Sequence, residues 1–192
     1  MKVKTVLIKP STVLSALLVG AVIAFSAASN VHADPITPEL QTKVDKAKKK
    51  LEQWASSAVA VAAAKDSNAK GGIAGMTNAK WDELNENDPI VKGVQNSAAG
   101  KQCKKWEEEE TGVNKVTIFD EKGNLVASST KTLLYNAANR PAITGALKGN
   151  VWQAPEVKPD PSTQKKSVNI SAPIKDGGKV IGLINAAVDA QQ

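Results

Sequence analysis

The sequence predicts an α+β domain, a five-stranded antiparallel sheet with a long N-terminal helix packed on one face. Three observations carry that expectation. Leu40, Val44, Ala47, Leu51, Trp54 or Ala55, and Ala58 recur at three- and four-residue steps, the period of one helix face. Lys115 to Ser129, KVTIFDEKGNLVASS, reads as two strands about a tight turn. Ser167 to Val188 reads as a second pair, turning at Asp176-Gly177-Gly178.

Residues 1–33 read as a secretory signal peptide rather than part of the fold. Lys2, Lys4 and Lys9 form a positive n-region, Val13 to Ala28 an apolar run without charge, and Val31-His32-Ala33 a small-residue cleavage site. The mature chain is expected to begin at Asp34 and to be periplasmic or secreted. The alternative is a retained anchor, since roughly 17 apolar residues lie near the lower limit for spanning a bilayer.

Thr37 can cap the first helix, Pro38 suits its first position, and Glu39 complements the positive end of the helix dipole. One helix is expected from Thr37 to Ala64, its KAKKK lysines on the wet side. Gly71, Gly72 and Gly75 then mark a loop. No Lys-Ser or Lys-Thr follows it and no strand precedes it, so it lacks the features of a phosphate-binding loop. A short helical piece begins at Trp81, and Asp88-Pro89 opens another helix that runs through Val91, Val94, Ala98, Cys103 and Trp106. Glu107 to Glu110 are read as a solvated acidic face rather than a calcium loop, and Gly112 as the stop.

In the first hairpin Val116, Ile118 and Phe119 are strand formers, Asp120 can bond its own backbone, and Gly123 tolerates a positive φ. Thr132 to Lys148 reads as a loop and a helix with Pro141 in its first turn, ended by Gly149. Val151 to Val157 is a short strand and Lys158 to Lys166 a turn. In the following strand Val168, Ile170 and Ala172 share a face, and in the last one Ile181, Leu183, Asn185 and Ala187 do.

Composition excludes several function classes. His32 is the only histidine and precedes Asp34, so the mature chain lacks a Ser-His-Asp triad, a Cys-His dyad and any histidine-ligated metal. No carboxylate pair stands out for acid–base work, so no enzyme, cofactor or metal site is expected. Three of the 25 basic residues and none of the 19 acidic ones lie before Asp34, so the formal net charge of +6 falls to +3. That makes no case for nucleic acid. Cys103 is the single cysteine, so no internal disulfide forms, and it is read as a small core residue. About 159 residues suffice for one domain.

The order of elements resembles the Cache (PDC) sensor family, the extracytoplasmic relatives of PAS domains. The resemblance rests on the long first helix, IFDEKGNLVASS, SVNISAPIKDGGKVIGLI and the segment between them. It covers the mature chain, and implies one single-Cache domain over 34–192 with a helical part, 34–112, and a PAS-like sheet part, 113–192. The form expected is a stand-alone one without an output domain. Such domains usually serve receptor kinases, chemoreceptors and cyclic-dinucleotide enzymes. The resemblance implies a ligand pocket on the sheet face away from the long helix, roofed by the loop and helix after the second strand.

Amine-binding double-Cache receptors carry a motif in that roof, a Tyr and then an Arg about five residues on, followed by a Trp and a Tyr and by later aspartates. Tyr135 and Arg140 match it, Ala142 and Ile143 replace the aromatic pair, Asp160 aligns with one aspartate, and Ala187 replaces the one in the final strand. Losing that carboxylate favours a carboxylate-like ligand over a free amine. Arg140 is the candidate clamp, since a guanidinium grips a carboxylate through two parallel bonds; a surface or capping role is the alternative. Tyr135, Trp152, Asp160 and Asn185 complete the candidate ligand set, with a core polar role as the alternative for Asn185. The function expected is a sensor domain for a small, anionic or neutral metabolite, acting with a membrane receptor or sensor kinase. The alternative is a protein-interaction module without a small ligand.

Overall fold

The structure, a computed structural model, describes residues 34–191. The segment read as a signal peptide lies outside them. Five helices come first: α1 (Pro38–Ala55), α2 (Ala58–Lys70), α3 (Asn78–Glu83), α4 (Pro89–Asn96) and α5 (Ala98–Glu109). Strands β1 (Val113–Asp120) and β2 (Leu125–Ser128) follow, then α6 (Pro141–Leu147) and strands β3 (Trp152–Gln153), β4 (Lys158–Pro159), β5 (Lys166–Asp176) and β6 (Lys179–Asp189).

All strand pairings are antiparallel. The sheet runs β2-β1-β6-β5-β3, and β4 adds to β5. The α+β expectation therefore holds, with a sixth strand. Lys158-Pro159, expected as part of a turn, are a strand too short to show alternation and pair with Ser167 and Lys166. The strand expected over Val151 to Val157 is regular only at Trp152-Gln153, and Val157 forms an isolated bridge to Asp34.

Thr37 caps α1 as expected, accepting from the Leu40 amide at 3.2 Å, with Pro38 just inside. The single long helix, however, is two. Ser57 is extended and accepts from the Ala60 amide at 3.3 Å, starting a new helix while the apolar stripe runs on across the break. Ser97 divides the next helix in the same way, accepting from the Gly100 amide at 2.9 Å. Asp120 organises the first hairpin turn. Its carboxylate accepts from the Lys122 and Asn124 amides at 2.9 Å each, and from Ser67 of α2 at 3.0 Å. Gly123 adopts φ 74°, and a Cβ there would sit 2.8 Å from Ala138 backbone atoms, so no other residue fits without displacement.

The core covers both faces of the sheet. On one face α1 packs against β5 and β6, and α2 and α5 against β1. Leu51, Val44, Ile118, Ile170, Ile184 and Ala186 meet there, and Trp54 stacks on Trp106 at 5.3 Å. On the other face α6 packs against β5 and β6. Alternation puts Leu183 on this second face but not Ile181, which joins the helical-side core because the β5–β6 register shifts beyond Ile174.

Candidate functional site

The register lines up three cross-strand rows on the face turned away from α1. Pro173, Leu183, Phe119 and Leu125 form the first. Leu183, Phe119 and Leu125 are buried with Trp81, Val91, Tyr135 and Ile143, while Pro173 is half-buried. Trp152, Ser171, Asn185, Thr117 and Ser128 form the second, one residue from each of five strands. Asn169, Ala187 and Lys115 form the third. One face thus passes from apolar through hydroxyl and amide to charged groups.

The middle row is buried apart from Trp152, which is half-buried. Its groups satisfy one another or the backbone. The Ser171 hydroxyl donates to the Ala142 carbonyl at the head of α6 at 2.6 Å, and Asn185 donates its amide to the Ile170 carbonyl at 2.9 Å. Thr117 and Ser128 share a hydrogen bond of 3.0 Å. Among the described residues, the side-chain oxygen of Asn185, Oδ1, accepts no hydrogen bond, its Nδ2 being the atom that bonds Ile170. Trp152 lies against α6 at Gly145, where a Cβ would meet its indole at 2.6 Å.

Lys115 and Asp160 form a buried ion pair, Nζ to carboxylate, of 2.5 Å. Lys115 also donates to the Ser162 hydroxyl at 3.0 Å, and Asp160 accepts from the Ser162 and Thr163 amides at 3.0 and 3.1 Å. Burial pushes the Asp160 carboxyl up, but the Lys115 ammonium and the Ser162 bonds outweigh it and hold it below its ordinary value. The pair fastens the loop after β4 onto the sheet.

The five residues selected from sequence fall into different settings. Trp152 and Asn185 share the middle row, on either side of Ser171. Asp160 is committed to Lys115 one row away. Tyr135 belongs to the apolar end beside Trp81, its hydroxyl accepting from the Ile73 amide at 2.6 Å and its phenol pushed up by burial. Arg140 occupies the N-cap position of α6, exposed, with no side-chain capping bond and no ion pair among the described residues. Tyr135 and Arg140, which match the motif together in sequence, thus stand in different settings, one buried and the other exposed. Lys115, Thr117, Ser128 and Ser171 are not among the candidates that the sequence suggests. Alternation in KVTIF places Lys115, Thr117 and Phe119 together, but nothing local announces a partner 45 residues along.

Cys103 is fully buried, its thiol pushed up to about 12 chiefly by burial, which makes it a core residue and not a nucleophile at neutral pH. Glu110, at the end of the acidic run, is buried and pairs with Lys46 at 2.6 Å. Among the described residues no cluster of acidic, Cys or His side chains could hold a metal, and no helix is long and apolar enough to cross a membrane.

No family model matches the sequence, and no curated protein matches it. Solved structures do. The sensor domain of the Vibrio cholerae histidine kinase DctB is 15% identical with a TM-score of 0.43, over 80% of this chain and 58% of that one. The sensory domain of the Campylobacter jejuni chemoreceptor Tlp3 with isoleucine bound is 15% identical, TM-score 0.42, over 80% and 64%. The ligand-binding domain of the Pseudomonas aeruginosa amino-acid chemoreceptor PctC with GABA is 12% identical, TM-score 0.45, over 80% and 56%. The chain spans less than two thirds of the length of each.

Proposed function

We propose that this chain is an exported Cache-type sensor domain that binds a small polar metabolite, neutral or anionic, against the middle row of the sheet. The observation that carries the reading is the row itself. A buried strip of Ser171, Asn185, Thr117 and Ser128 adds nothing to a core that Leu and Val would not supply better, because each polar group must first recover its lost hydration. A strip of hydroxyl and amide groups flanked by an indole matches the usual make-up of small-molecule sites, with few polar groups in fixed positions among apolar walls. The Asn185 side-chain oxygen is its open acceptor. Arg140 stands at the head of α6, where it attracts a carboxylate during entry. The Lys115–Asp160 pair balances its own charge and favours neither sign. A membrane receptor or sensor kinase would read the bound state.

A second reading, a protein-interaction module without a small ligand, draws support from the filled apolar end and from the protein partners that Tyr135 and Asp160 already hold. One experiment separates the two. Thermal melting of the purified protein is followed with organic acids, amino acids and nucleobases, since a ligand of the native state raises Tm by mass action. The sensor reading expects one class to raise Tm, and Thr117→Val and Asn185→Ala each to reduce that increment. If no class raises Tm, or if neither variant alters the increment, the middle row is not the site.

A further inference from the structure

The segment between α2 and α5 leaves the helical face of the sheet and comes back to it. Ala60 and Ala64 of α2 belong to the core under α1, as do Ala99, Cys103 and Trp106 of α5. Between them Trp81 of α3 and Val91 and Val94 of α4 belong to the core of the opposite face. Residues 71–97 are thus a strap passing from one side of the sheet to the other.

On the far side the strap is tied to the segment that precedes α6. The Ile73 amide donates to the Tyr135 hydroxyl at 2.6 Å, and the Trp81 indole to the Thr132 carbonyl at 2.8 Å. The Asn78 side chain exchanges two bonds with the Asn136 backbone, donating to its carbonyl at 2.9 Å and accepting from its amide at 2.7 Å. The Tyr135 contact is close enough to restrict sequence: Gly72 has φ 83°, and a Cβ there would collide with the phenol oxygen. The ends of the strap converge elsewhere. Lys70 and Ile73 at its exit and Ser97 and Ala99 at its return line one hollow of about 370 Å³, beside Leu125 and Val126 of β2.

We propose that the strap and the segment 131–136 form a single coupled element, with the Tyr135 hydroxyl as its latch, so that a shift of that segment changes the hollow beside β2. Four hydrogen bonds join α3 and the loop before it to the segment 131–136, so the two open together rather than singly. Both ends of the strap frame the hollow, so its width follows the strap. The inference concerns the unliganded protein and stands whatever the middle row binds.

Hydrogen exchange on the full chain tests it. Tyr135→Phe keeps the ring in its cluster and removes only the oxygen. The expected result is exchange faster by about tenfold at Ile73, together with faster exchange at Asn136 and at Gly100 and Lys101 just past the return, while β5 and β6 are unchanged. Asn78→Ala, on an exposed helical position, tests the same unit from another tie and is expected to speed exchange at Ile73. Should Tyr135→Phe fail to fold, Asn78→Ala decides the matter alone. Acceleration confined to the amide whose own bond was removed, in either variant, overturns the coupling.

Discussion

The sheet face under α1 and the face under α6 share strands β1, β5 and β6 but are held by different physics. Under α1 the buried packing is apolar and set by shape, from Leu51 and Val44 to the stacked pair Trp54 and Trp106, and polar contacts such as Lys46–Glu110 lie at its margin. Under α6 the apolar packing stops after one row, and hydroxyls, an amide and an ion pair take over. The first arrangement depends on burial, which is non-directional and scales with area. The second depends on each donor meeting its acceptor, and a mismatch there leaves a buried group unsatisfied. A face of the first kind suits a scaffold. A face of the second kind can exchange one partner for another, which is what the proposed sensor role would require.

Breaking the ion pair should have the largest effect. Lys115→Met leaves the Asp160 carboxylate buried without its cation and should destabilise by about 3–5 kcal/mol in denaturant melts, whereas the double variant Lys115→Met/Asp160→Leu should recover much of that loss. The acid limb of the stability curve should change as well. The folded-state carboxyl of Asp160 lies below its unfolded value, so its contribution is complete above the unfolded value and is lost as pH falls through the folded one. Asp160→Asn should therefore flatten the decline below about pH 4. An unchanged acid limb would show that the pair does not act in solution.

Leu51→Ala probes the other face. Leu51, on the inward face of α1, is fully buried, and the cavity and lost burial together should cost about 2–5 kcal/mol. Unlike the ion-pair loss, this cost should be insensitive to pH between 3 and 8 and to salt. If salt or acid alters it, the two faces are not as distinct as their chemistry implies.

These faces differ also in how far the sequence discloses them. The stripe through Leu40, Val44, Ala47 and Leu51 announces the scaffold face, because helical period and burial are the same information. The Asp120–Gly123 turn is equally legible, since its chemistry is local. The break at Ser57 was hidden because apolar spacing continues across it, although Ser56-Ser57 is the capping signal that could have revealed it. The middle row was not legible. Ser171, Asn185 and Thr117 come from three strands, and a register slip of one residue would turn each to the opposite face. Spacing along the chain, as in the motif that Tyr135 and Arg140 match, does not disclose burial: one side chain lies in an apolar cluster and the other in water.

Ser171→Ala removes the bond between the middle row and the head of α6, a contact of 2.6 Å. The expected cost is about 0.5–1.5 kcal/mol, less than either change above, with the loss concentrated in α6. Hydrogen exchange should show faster opening of the amides of Ile143 and Thr144 than of those in β6. Uniform acceleration would mean that the row and α6 are not separable from the scaffold.

Arg140→Ala should have the smallest effect on folding and is the sharpest test of where charge matters. The guanidinium is exposed, has no ion pair among the described residues and makes no capping bond, so its removal should change stability by less than about 0.5 kcal/mol. A buried clamp on a carboxylate would cost about 2–5 kcal/mol of binding when truncated, mostly through faster dissociation. An exposed charge at the rim acts differently. It raises the local concentration of anions, so its loss slows association and weakens the dependence of that rate on salt. With an anion found in the thermal screen, Arg140→Ala should lower the association rate a few-fold at low ionic strength and leave dissociation nearly unchanged. The difference should shrink as the Debye length falls from about 10 Å at 0.1 M salt to about 3 Å at 1 M. A loss that appears in dissociation and persists at 1 M salt would place the guanidinium against the bound ligand, and the roof would then have to close over Arg140 when the ligand binds.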